Sequence, residues 1–155
     1  MNDHHSWVVD IDNRLKKSWR HLAKWARKNK VDYFRLYDRD IHQCPFIIDY
    51  VDQFWLLWEC QHQQGPDDMA DCINQVKARL IDIQDQPVII KSRKKGAVIN
   101  KVSPAIKHIV QENDLLFELD LTSYLDTGLF IDHRKTRAYI QRLVKGKTLL
   151  NLFSY

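Results

Sequence analysis

Leu125-Asp126-Thr127-Gly128-Leu129-Phe130-Ile131-Asp132-His133-Arg134 and, one cationic segment later, Lys147-Thr148-Leu149-Leu150-Asn151-Leu152-Phe153-Ser154-Tyr155 decide the fold of this chain. Gly128 lets the backbone turn, and Asp132 stands where the N-cap of a helix belongs. The helix this predicts, over 132–144, stops at Lys145-Gly146, because glycine takes the left-handed conformation of a helix end at no steric cost. An apolar run without alternation, 148–153, comes next. Strand after helix with unbroken apolar character suits a first parallel strand buried on both faces, as in a doubly wound sheet.

Working back from there, Asp12 or Asn13 is the predicted cap of a helix over 13–31, preceded by a flexible N-terminus, 1–12. Leu15, Trp19, Leu22 and Ala26 form its narrow apolar stripe. Arg14, Lys16, Lys17, Arg20, Lys24, Arg27, Lys28 and Lys30 cover the remaining circumference, and no acid lies between Asn13 and Val31. An ordinary solvated face mixes both signs to make intrahelical pairs. A face with cations alone suits a row of phosphates, which makes this helix a candidate RNA-binding surface. Trp25 lies at the stripe's edge, where it either stacks on a base or makes an interdomain contact.

Between these ends the pattern alternates strands and one helix. Tyr33, Arg35 and Tyr37 alternate with Phe34 and Leu36 as a half-buried strand. The runs 46–51 and 54–58, split by Asp52-Gln53, predict a hairpin. After Gly65-Pro66-Asp67 a second helix carries the stripe Met69, Cys72, Ile73, Val76, Leu80 and Ile83. A short strand, 87–90, leads into a basic loop, Lys91-Ser92-Arg93-Lys94-Lys95-Gly96, in which Lys91, Arg93, Lys94 and Lys95 are candidate phosphate ligands. A second hairpin, 108–112 and 115–121, turns at Asn113-Asp114, and a domain border falls near 121–127. The predicted class is α+β: a basic helix, 13–31; a small mixed domain of strand pairs around one helix, 32–122; and the start of a further domain, 123–155.

The bulk properties bound the function. With 155 residues, 45% hydrophobic and 28% charged, the chain is globular. Its net charge of +4 identifies no partner by itself, so the clustering of charge carries the RNA reading. Three cysteines with no Cys-x-x-Cys spacing suit a reduced, cytoplasmic protein. No apolar run is long enough to span a membrane. His4-His5 reads as a frayed tail, and His42, Cys44, Cys60 and His62 match neither a zinc finger nor a ribbon, so no metal is expected.

The segment 127–134, at its spacing from Asn151-Leu152-Phe153-Ser154-Tyr155, resembles the class I S-adenosylmethionine-dependent large-subunit rRNA methyltransferases, and among these the guanine-methylating enzymes. Asn13 to Lys17, His21 to Arg27, Tyr33 to Asp38 and the Lys91-Ser92-Arg93 start of the basic loop resemble the same family, from which residues 42–62 depart. The resemblance implies a truncated Rossmann-like methyltransferase domain after residue 123. It implies S-adenosylmethionine as the complete enzyme's cofactor and 23S rRNA, methylated at guanine N7, as the partner. It places Phe130, Asp132, Arg134, Asn151, Phe153 and Tyr155 at the edge of the cofactor site. It leaves the catalytic residue unassigned and implies that the 155 residues alone are inactive, because the family's Thr-Gly cofactor turn lies beyond Tyr155. A sister family of rRNA cytosine-C5 methyltransferases has a similar Thr-Gly-x-x-x-Asp-x-Arg pattern and would be told apart by a nucleophilic cysteine further on. A non-catalytic RNA-binding module is the third reading, separated from the others by the reading frame after Tyr155.

Overall fold

The computed structural model describes residues 4–60, 66–93 and 104–152. Helix α1 spans His4–Asn29. Strands β1 (Tyr33–Asp38), β2 (Phe46–Val51) and β3 (Phe54–Glu59) follow. Helix α2 (Pro66–Ile83) crosses over to β4 (Val88–Ser92). The hairpin β5 (Lys107–Glu112) and β6 (Leu115–Asp120), a 3-10 turn (Ile131–His133) and helix α3 (Arg134–Leu143) complete the described chain. The main sheet has the order β1-β2-β3-β4, antiparallel except for the parallel pair β3–β4. A parallel neighbour demands a crossover, and α2 is that crossover. β5 and β6 form a separate two-stranded sheet.

Three layers result, with a core on each side of the main sheet. Period-two alternation sends Phe46, Ile48, Trp55 and Leu57 to one face, against α1 and α2. It sends Ile47, Val51, Leu56 and Trp58 to the other, against Val110, Leu119, Leu121 and Leu129. This corrects the half-buried reading of β1. Tyr33 packs on the hairpin side and Phe34 on the helix side, and a register shift between Arg35 and Tyr37 turns both Leu36 and Tyr37 toward the helices.

Helix α1 differs from expectation at its start. It begins at His4, so Asp12 and Asn13 lie inside it and neither caps it. Trp7 and Ile11 extend the Leu15 stripe toward the N-terminus by two helical turns, and all three are buried in the helix-side core. Asp12 and Asn13 are good capping residues, which is why the sequence predicts a helix that starts there after a flexible 1–12. Burial of Trp7 against the core outweighs those local preferences, and α1 becomes a layer of the fold. By contrast α2 buries the stripe the periodicity predicted: Met69, Cys72, Val76 and Leu80 inside, Ile73 and Ile83 packed against them.

The C-terminal segment is the other correction. α3 forms as predicted and ends near Gly146, whose φ of 72° is the left-handed stop. Residues 148–152 form no strand, and Leu149, Leu150 and Leu152 are exposed. A parallel strand requires hydrogen-bonding neighbours, and no described strand of this chain lies beside it.

The extended α1 makes a measurable claim. Trp7→Ala should destabilise the chain by about 3–5 kcal/mol, as loss of a buried aromatic side chain does; chemical denaturation reads the difference. A flexible tail would give no change.

Candidate functional site

The loop 121–133 lies across the hairpin-side face of the main sheet and closes a polar cavity of about 280 Å³ over it. The floor is Asp49, a fully buried carboxylate on β2. The Arg35 guanidinium donates to Asp49 Oδ1 through Nε at 2.9 Å, and the Trp58 indole donates to Oδ2 at 3.0 Å. Strand pairing sets Arg35 directly opposite Asp49, so the ion pair is a cross-strand pair. Burial pushes the Asp49 carboxyl above its ordinary range, while Arg35 and the Trp58 hydrogen bond oppose the shift. The Thr127 hydroxyl donates to the Tyr33 hydroxyl at 3.3 Å, which seats the loop on β1. Gly128 has a φ of 88°, so the predicted turn there is formed in the backbone conformation that favours glycine.

Phe130 and Asp132 stand on the cavity's rim and are exposed. Asp132 does not cap a helix. The 3-10 turn begins after Phe130 with no side-chain cap, and α3 begins after His133, again without one. The Asp132 carboxylate is only 3.9 Å from His133 Nε2, both on the surface. Arg134 is placed differently from its neighbours. Its Nε donates to Glu112 Oε2 at 2.9 Å and its Nη2 to the Tyr33 carbonyl at 2.5 Å, and its guanidinium lies 5.3 Å from the Trp25 ring centre. Arg134 therefore holds α3 to the sheet instead of projecting into open space. Arg137 completes that joint. It donates to both Glu112 oxygens, at 2.8 and 2.7 Å, and to the Phe130 carbonyl at 2.7 Å. Burial alone would raise the Glu112 carboxyl, but hydrogen bonds from Arg137 and Arg134 hold it below its ordinary range. No local sequence pattern links Arg137 to Glu112, because a strand end and a helix 25 residues further on meet only in the folded chain.

The structure also sorts the candidate cations. Arg14 is paired with Asp40, Nε to Oδ2 at 2.8 Å, and Lys16 with Asp12 at 2.7 Å. Lys17, Arg20, Lys24 and Arg27 are exposed on α1. Arg20 and Arg27 each bend back to a carbonyl one turn earlier, at 3.3 and 3.4 Å. Trp25 is partly exposed and lies against the Arg134 guanidinium. Lys91 is on β4 and buried, not in a loop. Its ammonium lies 4.9 Å from the Trp58 ring centre and makes no hydrogen bond among the described residues. Burial brings its pKa down to about 8, against the pull of Asp120 and Asp126. Arg93 stacks on the same ring at 4.4 Å and reaches Asp126 at 3.3 Å. Lys94 and Lys95 lie outside the described residues, as do Phe153 and Tyr155; Asn151 is exposed. No group of three metal-binding side chains occurs among the described residues, and no described helix is long and apolar enough to cross a membrane.

Comparison with solved structures places the fold first. The fold matches a chain described as a SAM-dependent methyltransferase from Streptococcus mutans, with a TM-score of 0.63, 17% identity, and coverage of 86% of this chain and 35% of that one. A methyltransferase complexed with SAH matches with a TM-score of 0.62 at 18% identity, covering 84% and 34%. At that identity the likeness is one of fold. No family model matches the chain. Curated relatives are closer in sequence. Ribosomal RNA large subunit methyltransferase K of Neisseria meningitidis serogroup B is 35% identical over 96% of this chain and 44% of its own length. Ribosomal RNA large subunit methyltransferase K/L of Shewanella pealeana is 34% identical over 96% of this chain and 22% of its own length. Over the segment it spans, the chain is similar in sequence to these large-subunit rRNA methyltransferases, and it spans less than half the length of these relatives.

The buried lysine gives this site a pH signature. Lys91→Met should stabilise the chain at pH 7 by about 1–3 kcal/mol, since it removes a buried ammonium whose contact with the Trp58 ring supplies no hydrogen bond for its N–H groups. The folded pKa lies below the unfolded one, so the unfolded chain binds more protons between them. Wild-type stability therefore rises from about pH 8 to the ordinary lysine range, and the gap to Lys91→Met narrows there. Urea titrations at pH 7 and 10 check both the sign and the trend.

Proposed function

We propose that this chain is part of a SAM-dependent 23S rRNA methyltransferase acting at guanine N7, and that it supplies an RNA surface on α1 and the rim of the cofactor site. The observation that carries the reading is the sequence match across 96% of the chain to rRNA methyltransferases. The exposed Lys17, Arg20, Lys24 and Arg27 support the RNA surface, since successive cations on one helix neutralise successive phosphates.

The rim fits a cofactor that has both an apolar and a polar end. Phe130 offers an exposed ring and Asp132 an exposed carboxylate that is not used as a cap, side by side on one cavity. S-adenosylmethionine, when bound, supplies the electrophilic methyl group. In this reading Phe130 packs against it, and Asp132 accepts hydrogen bonds from its polar groups. Arg134 has a positioning role: with Glu112 and Arg137 it fixes the segment that presents Phe130 and Asp132. Orientation of this kind acts on rate through the alignment of methyl donor and acceptor nitrogen.

The test uses the full reading frame encoding this chain, with 23S rRNA and labelled S-adenosylmethionine. Methyl incorporation should create sites of borohydride- and aniline-induced strand cleavage, the signature of N7-methylguanine. Asp132→Asn should lose transfer while the melting temperature holds, because that side chain makes no cap. Arg134→Ala should lower both. Label recovered in cytosine, or full turnover in Asp132→Asn, would sink the assignment.

A further inference from the structure

Outside the site described above, a cavity of about 560 Å³ opens between the last turns of α1, the start of β1 and the end of β2. That size lies within the range of small-ligand pockets. Three rings form its base. Trp19 meets Tyr50 edge-to-face at 4.9 Å between ring centres, and Phe34 lies 5.3 Å from Tyr50 and 6.0 Å from Trp19. Phe34 is fully buried, whereas Trp19 and Tyr50 keep partial exposure toward the opening. The space exists because α1 presents Ala23 and Ala26 on the face where larger side chains would fill it. Arg27 and Lys30, both exposed, line the same opening and continue the cationic face of α1. Asp32 and Asp52 also line it. Asp32 Oδ2 accepts from the Gln111 backbone N–H at 2.8 Å, and Asp52 Oδ2 bonds His108 Nε2 at 2.9 Å.

We propose that this cavity binds one unstacked nucleobase of single-stranded RNA, with the flanking phosphates on Arg27 and Lys30. The proposal rests on the RNA-binding reading of α1 and adds to it a specific base site. Its chemistry separates the two parts of a nucleotide. Aromatic rings accept the π-face of any base. Carboxylates repel a phosphate but accept N–H donors, so the base enters and the phosphate stays with the cations at the opening. Adenine, guanine and cytosine carry an exocyclic amino group for Asp32 or Asp52, and uracil carries none. The site therefore prefers amino-bearing bases, adenine over uracil in the simplest comparison.

The experiment measures fluorescence anisotropy of labelled oligoadenylate, oligouridylate and an abasic oligoribonucleotide of equal length against the 155-residue chain, across a salt series. Oligoadenylate should bind about tenfold more tightly than the abasic strand, since stacking acts on each base, with oligouridylate between them. Ala23→Leu, which fills the cavity without removing a core side chain, should abolish this tenfold difference and leave the salt slope unchanged. Arg27→Gln should reduce the slope by about 0.7, the value for one single-strand phosphate. As a second variant, Trp19→Leu should act like Ala23→Leu, with circular dichroism reporting that the helices persist. Binding with a steep salt slope but equal affinity for adenylate and abasic strands would overturn the base site alone. No binding of any strand would overturn it together with the RNA reading. Base discrimination retained in Ala23→Leu would place the base elsewhere and overturn the assignment to this cavity.

Discussion

A carboxylate that water scarcely reaches must have its charge answered by the protein, and at Glu112 two guanidiniums answer it. Removing one partner of such a cluster leaves buried charge uncompensated, at a cost of about 3–5 kcal/mol. This is why α3 stays on the body although it buries none of its residues. The same two arginines also bind the carbonyls of Tyr33 and Phe130, so the cluster fixes a strand, a hairpin end, the 3-10 turn and a helix relative to one another. The rim at Phe130 and Asp132 has its place because Glu112 has its charge.

Beneath that joint, the main sheet is covered on both faces, which sets what its strands can carry. Apolar residues fill both sides of β2 and β3, and one position of the hairpin-side face is Asp49. It is tolerable there because Arg35, Trp58 and Tyr33 direct hydrogen-bond donors at it. Trp58 then serves two groups: its N–H satisfies Asp49, while its ring takes the cations of Lys91 and Arg93. The polar cavity is thus a polar inclusion in an apolar layer, and the loop containing Thr127 and Gly128 is its cover.

Much of this was legible in the sequence because it rests on local pattern. Both hairpins, the α2 stripe, the β1 segment and the Gly128 turn follow from periodicity and turn chemistry that act over a few residues. The start of α1 was not legible, since Asp12 and Asn13 are good caps and only the distant core makes Trp7 worth burying. Lys91 was misplaced for a related reason. Four cations in a row of five look like a loop, and only pairing with Trp58 on β3 draws the first of them into the sheet. The segment 148–153 reads as a strand by composition, but a strand is defined by its neighbours. At the candidate site, Phe130 and Asp132 were found by motif, whereas Glu112, Arg137, Asp49 and Trp58 come together from separate elements without any sequence signal linking them.

The hydrogen bond from Thr127 to Tyr33 joins residues 94 positions apart, while β1, β2 and β3 pair through short connections. Closing a long loop costs entropy before any contact repays it, so contacts of high sequence separation form late. The sheet is therefore the early product of folding and the cover over its polar cavity a late one. By that ordering the sheet precedes its cover, and the Glu112 joint is what keeps the cover seated once it has formed.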